Sequence, residues 1–142
     1  MKVLIDTNVV LDVLLKRRPF YQDSFKIFQF ADQEHIQGCL SAVSMTDIFY
    51  LLRKDRHGSD ENYQVMDELT ALFLIIPVTE TTITKALALR WQDFEDAVQY
   101  TAAQENGIQY IITRNETDYK TSGIHCMNPT DFIAYIRSEK EI

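Results

Sequence analysis

Four aspartates, Asp6, Asp47, Asp96 and Asp118, fall where a folded backbone could gather them. Asp6 follows the short apolar run Val3, Leu4, Ile5, which reads as a buried strand, and precedes Thr7, Asn8 and an apolar segment able to wind into a helix. A polar cluster at the carboxyl edge of a parallel strand lies where open α/β sheets hold their ligands. Taken alone, Asp6 has two readings. It can accept backbone N–H groups as an N-cap or Asx-turn, or it can serve as a metal or catalytic carboxylate with partners elsewhere. The rest of the chain offers such partners: Asp47 near the start of the helix after the second strand, Asp96 in the first turn of a later helix, and Asn115 with Asp118 after the fourth strand. Parallel strands joined by right-handed crossovers present their carboxyl ends on one edge, so these positions can face one cavity. Carboxylates gathered in this way repel one another unless cations sit among them. Hard oxygen donors without His or Cys suit Mg²⁺ or Mn²⁺, and that donor set suits metal-assisted hydrolysis of a phosphodiester.

The elements that would position these groups alternate between strand and helix. The patterning predicts a helix over Val9–Leu15, stopped by Lys16, Arg17, Arg18 and Pro19, and a second over Phe20–Asp32. A strand over Cys39–Ala42 follows, then a helix capped by Ser44 and running through Asp47 to about His57. Ile48 to Leu52 are apolar in succession, so this helix is either buried on nearly all sides or faces a partner. Further helices are expected from Asp60 to about Leu72 and over Thr81–Arg90, with a strand around Leu74–Val78 between them. Asp93–Asn106 is the clearest helix, with Asp93 as N-cap and Asn106-Gly107 as its stop. A buried strand at Tyr110–Ile112, a short strand at Gly123–Met127 and a helix over Pro129–Arg137 complete the chain. Strands alternating with helices across short loops indicate a three-layer α/β/α sandwich on a mainly parallel, about five-stranded sheet. No repeat or linker divides the 142 residues, so one domain over residues 1–142 is expected.

Composition narrows the function. With 46% hydrophobic and 25% charged residues the chain reads as an ordinary soluble globular protein. Its net charge of -7 argues against a broad non-specific grip on nucleic acid, although carboxylates that bind cations contribute charge that the metal cancels. The basic residues are clustered, as Lys16, Arg17 and Arg18 and as Arg53, Lys54 and Arg56 with His57. Cys39 and Cys126 lack metal-ligand spacing and read as reduced thiols. No secretory signal precedes the first strand, and the longest apolar stretch, Leu69 to Val78, is too short to span a bilayer. A cytoplasmic location without membrane attachment is expected. His35, His57 and His125 are scattered and form no catalytic constellation.

Across nearly its whole length the chain resembles a PIN-domain ribonuclease, the family that includes the toxin halves of many toxin–antitoxin modules. The segments that carry the resemblance, in order, are LIDTNVVLD, SAVSMTDIFYLLRK, DFEDAVQYTAA, IITRNETDY and NPTDFIAYI. Matched position by position, the resemblance implies that Asp6, Asp47, Asp96 and Asp118 are the catalytic metal carboxylates. It implies supporting roles for Asn8, which would hold the last acidic group, and for the polar pair Thr113 and Asn115. It further implies a cleft that takes single-stranded RNA beside one or two Mg²⁺ ions. Arg53 and Lys54, about two turns after Asp47, can meet RNA phosphates there or equally form a solvated helix end whose cations offset the dipole. Two positions depart from the pattern: many relatives have Glu where this chain has Asp47, and some have Asp where it has Asn115. One tight metal site is therefore expected, with a second filled only with substrate. A homodimer and a small antitoxin, docking near the apolar Ile48 to Leu52 stretch, are the partners the resemblance implies.

Two other functions compete. A catalytically weak PIN-like module would bind metal or RNA without cleavage. A receiver or an Asp-nucleophile phosphatase would need a second acidic residue after the first strand, where this chain has Asn8.

Overall fold

The structure, a computed structural model, describes residues 1–55, 58–119, 123–140 and 142, apart from the side chain of Asp118. The elements in chain order are β1 (Lys2–Ile5), α1 (Thr7–Leu14), α2 (Tyr21–Asp32), β2 (Gln37–Ser41), α3 (Ala42–Asp55), α4 (Ser59–Leu72) and β3 (Leu74–Ile76). They continue with α5 (Glu80–Leu89), α6 (Phe94–Glu105), β4 (Tyr110–Ile112), a 3-10 turn (Glu116–Asp118), β5 (His125–Met127) and α7 (Pro129–Lys140). The predicted end of the α3 helix near His57 lies outside the described residues.

All five strands are parallel, in the order β3-β2-β1-β4-β5. Side chains alternate across such a strand, and the core divides accordingly. Val3, Ile5, Leu40 and Ile112 point to one face, where they meet α1, α2, α3, α4 and α7. Leu4, Cys39 and Ile111 point to the other, against Tyr100, Ala102 and Ala103 of α6. The three-layer sandwich expected from the sequence is the observed fold. Close packing of the layers leaves no room at Gly38, where a Cβ would stand 2.5 Å from the Phe73 ring.

The chain runs outward from β1 through β2 to β3, then returns to the other side of β1 for β4 and β5. The strand order therefore reverses between β1 and β4, which opens a crevice beyond their carboxyl ends. The main-chain N–H of Asp6 reaches across to the Ile112 carbonyl at 2.9 Å and ties the two strands together there.

Several local details differ from the sequence reading. Helix α1 starts at Thr7, because the Asp6 carbonyl already accepts the N–H groups of Val9 and Val10. The residue that caps α3 is Ser41, whose Oγ accepts the Ser44 N–H at 3.1 Å; Ser44 itself sits inside the helix. Strand β3 stops at Ile76, since Pro77 has no N–H to give the ladder. Thr79 and Thr82 form a reciprocal capping box that starts α5 at Glu80. Within α3, Ile48 and Leu52 are fully buried and Phe49 and Leu51 half-buried, while Tyr50 is 58% exposed. The apolar stretch is thus mostly core. Asp12, which reads as a solvated helix position, is instead completely buried and ion-paired with Arg114. Among the described residues no helix is long and apolar enough to cross a membrane.

Candidate active site

At the β1/β4 crevice lies an open cleft of about 300 Å³, lined by Asp6, Asn8, Asp47, Asp93, Glu95, Asp96 and Asn115 among others. The acidic groups arrive from three elements. Asp6 leaves β1, Asp47 sits in the second turn of α3, and Asp93, Glu95 and Asp96 open α6.

Asp6 occupies the N-cap position of α1 but makes no side-chain capping bond to it. Its carboxylate is 4% exposed and is held by neutral donors. Thr113 Oγ1 donates to Oδ2 at 2.7 Å, and Gln99 Nε2 lies 3.4 Å from Oδ1. Burial pushes the Asp6 carboxyl above the usual carboxylate range, and these hydrogen bonds partly oppose the shift. Thr113 is fixed in turn, since its Oγ1 accepts the Asn115 N–H at 3.0 Å. Beneath the cleft hydroxyls and one amide link four elements: Ser44 Oγ accepts from Thr7, Ser41 and Gln99 at 2.9, 3.1 and 3.1 Å.

Asp93 caps α6 as its spacing predicts, accepting the Asp96 N–H at 3.1 Å. The cap turns Asp96 inward, where it is 6% exposed. Tyr119 packs behind Asp96, and burial together with the Asp6 and Asp96 carboxylates holds its phenol protonated far above the ordinary range.

Of the residues singled out from the sequence, Asp6, Asn8, Asp47, Asp96 and Asn115 meet in this cleft, and Thr113 stands just behind it. The backbone of Asp118 closes the 3-10 turn after β4, but its side chain lies outside the described residues. Arg53 and Lys54 are exposed near the end of α3, away from the acidic lining. Lys54 Nζ sits 5.5 Å from the centre of the Tyr50 ring, and Tyr50 forms one wall of the cleft.

Two participants are missing from the sequence reading. Glu95 lines the cleft and hydrogen-bonds both Thr7, at 3.3 Å, and Asp47. Partial desolvation, then repulsion from Asp47 and Asp6, pushes its carboxyl up to about 7. Gln99 bridges Asp6 to Ser44. Glu95, Asp96 and Gln99 share one helix face through i,i+3 and i,i+4 spacing, a signal that could have found both.

The charged groups lining the cleft are all carboxylates: Asp6, Asp47, Asp93, Glu95 and Asp96. That chemistry fits a hard divalent cation. As the side chains stand, no three His, Cys, Asp or Glu among the described residues are grouped tightly enough to hold a metal ion. Coordination would require rotation of at least one carboxylate; Glu95 is exposed and Asp47 half-buried at the rim.

The α/β sandwich carries an oxygen-rich acidic cleft at the sheet's switch point, and sequence comparison specifies its family. Residues 2–117 match the PIN domain family, and the chain belongs to that family. It is 26% identical over 125 residues to Ribonuclease VapC1 from Aquifex aeolicus, covering 83% of this chain and 84% of that protein. Its fold is similar to DNA-bound VapBC from Salmonella typhimurium, with a TM-score of 0.69 at 15% identity over 91% of this chain and 98% of the other. It is also similar to VapC20 from Mycobacterium tuberculosis, described as a sarcin-ricin loop cleaving toxin, with a TM-score of 0.64 at 12% identity over 87% and 98%.

Proposed function

We propose that the chain, as one PIN-like domain over residues 1–142, is an Mg²⁺- or Mn²⁺-dependent endoribonuclease and the toxin of a toxin–antitoxin pair. The observation that carries this reading is the meeting of Asp6, Asp47, Glu95 and Asp96 in one cleft at the β1/β4 crevice. The similarity to a ribonuclease and to toxin–antitoxin complexes supports it. Asp6, Asp47 and Asp96 would hold the cation, with Asp118 as the further carboxylate the family pattern implies. A cation held there would supply an activated water and positive charge for the leaving oxygen. The chain's own groups do the rest. Thr113 and Gln99 keep the Asp6 carboxylate aimed at the cleft. Glu95, at the rim beside Thr7 and Asp47, stands where its carboxylate oxygen can accept a proton when RNA enters. Lys54, over the Tyr50 ring, and its neighbour Arg53 would meet phosphates of the incoming strand. A cytoplasmic homodimer with a small antitoxin over the cleft completes the proposal.

A second reading, a PIN-like metal- or RNA-binding module with weak catalysis, is favoured by the loose grouping of the carboxylates. One experiment separates the two. Purified protein is incubated with end-labelled single-stranded RNA in Mg²⁺, Mn²⁺ or EDTA, beside Asp96→Asn. Metal-dependent cleavage that vanishes in the variant is expected; metal binding without cleavage from folded protein would favour the module.

A further inference from the structure

Beside the acidic cleft runs a second, larger groove of about 860 Å³, and Asp93 forms the wall common to both. Its lining comes almost entirely from the short segment between α5 and α6, with Thr117 opposite. The segment begins at Arg90, which ends α5 in the left-handed conformation (φ 55°) that usually falls to glycine. This turn brings Trp91 back onto the body of the protein. Its indole stacks on Tyr100, with centroids 5.1 Å apart and planes 21° apart, and meets Tyr119 edge-on at 6.0 Å. Trp91 is therefore a half-buried, rigid ring seated on the same tyrosine that backs Asp96. Phe94, three residues on, leaves 44% of its surface exposed in the first turn of α6. Two aromatic rings, one guanidinium and the Gln92 amide thus line one groove that continues into the acidic cleft.

We propose that this groove is a nucleobase subsite, which seats an unpaired base of single-stranded RNA against Phe94 and the accessible part of Trp91 next to the cleft. The inference rests on the nuclease reading and adds to it where the strand is gripped. A net charge of -7 and an acidic cleft offer little purchase to phosphates. Stacking on an aromatic ring carries no such penalty and accepts any base. Arg90 can pair with a flanking phosphate or lie on a base plane, and Gln92 carries both a donor and an acceptor for a base edge. Only an unpaired base can expose its faces to such rings. The volume lies within the range of small-ligand sites, ~300–1,000 Å³.

Trp91 is the chain's one tryptophan, so its emission reports directly on the groove. Wild-type protein in Mg²⁺ would be titrated with a 2′-O-methyl RNA hexamer, which resists cleavage, and with the same backbone made abasic. Saturable quenching by the hexamer and none by the abasic strand is expected. Phe94→Ala, an exposed position, should weaken hexamer binding about tenfold while leaving the far-UV spectrum unchanged. In the cleavage assay the same variant should raise KM with little change in kcat. Equal quenching by the abasic strand, or binding unaffected by Phe94→Ala, would overturn the proposal. So would light scattering in which Phe94→Ala converts a dimer to a monomer, because a second copy would then cover the ring. Cleavage without base-dependent quenching removes the subsite alone; base-dependent quenching without cleavage keeps the subsite and removes the nuclease reading.

Discussion

Arg114 sits between two cleft-edge residues, Thr113 and Asn115, yet points away from the cleft toward Asp12. Its Nε lies 2.8 Å from Asp12 Oδ2, and Nη2 donates to Oδ1 at 3.3 Å. Its guanidinium also covers the Phe20 ring at 4.1 Å. Replacing it with methionine removes the charge and the fork but keeps the bulk. Removing one partner of a buried ion pair costs roughly 3–5 kcal/mol. Arg114 is 25% exposed and Arg17 remains 4.0 Å from Asp12, which points to the lower end. Loss of the ring contact adds about 0.5–1 kcal/mol. A deficit of about 3–4 kcal/mol follows at pH 8, or roughly a 10 °C fall in Tm for a chain of this size. The pH dependence has a definite sign. Burial holds the Asp12 carboxyl above its ordinary 3.8 even with Arg114 beside it, and without Arg114 it rises further. A carboxyl raised on folding stabilises the folded state below its unfolded pKa, and that contribution is lost as pH rises through the folded value. The Arg114→Met deficit should therefore be small at pH 4 and full at pH 8, as measured by urea denaturation. Asp12→Asn in the Arg114→Met background should recover much of it. An equal deficit at both pH values, or a double variant additive within about 0.5 kcal/mol, would refute the buried-pair account.

Thr113→Val deletes the 2.7 Å bond to Asp6 with little change of shape; it should cost about 2 kcal/mol at pH 8 and less at pH 5, where Asp6 is more readily neutral, by the same denaturation assay. Glu95→Gln should flatten the pH profile of metal-free protein. The wild-type carboxyl, pushed up to about 7 from 4.5, withdraws its contribution to stability across that interval as pH rises. Thermal melts in EDTA at pH 5 and pH 8 test this, and an unchanged slope in the variant would contradict the crowding of Glu95 by Asp47 and Asp6. Gly38→Ala forces a methyl to within 2.5 Å of the Phe73 ring and should cost about 2 kcal/mol in the urea midpoint, unless the ring can turn aside.

The order of elements is legible in the sequence because each strand is a short apolar run ended by a polar residue, as with Ile5–Asp6 and Ile112–Thr113. Strand order is not written in the periodicity, yet the crossover rule alone suffices to bring the carboxyl ends to one edge. Element boundaries are legible less well. Ser41 and Ser44 are equally plausible caps until the backbone shows which hydroxyl meets a free N–H. Asp12 reads as solvated because its partner lies 102 residues away, a separation no local pattern reports. Glu95 is hidden for a different reason. A Glu in a helix's first turn is favourable for the dipole alone, so its residue type carries no hint that two aspartates from other elements stand beside it.

The scaffold behind the cleft is neutral, and that choice has consequences. A Lys or Arg in place of Gln99 or Thr113 would neutralise Asp6 permanently and make the cleft indifferent to a cation. Hydroxyls and an amide hold the same carboxylate in place by hydrogen bonds of 2.7 and 3.4 Å while leaving its charge uncompensated. The nearby guanidinium, Arg114, is turned onto Asp12 instead, on the far side of β4's end. The crowding then appears at the rim, where partial burial and the Asp47 and Asp6 carboxylates push the Glu95 carboxyl up. Under the nuclease reading, a bound divalent ion would offset that repulsion, and the strain among the carboxylates would count toward its binding. Buried neutral donors below and crowded acids above are thus one arrangement, in which the fold holds the charge apart and leaves its cancellation to whatever binds.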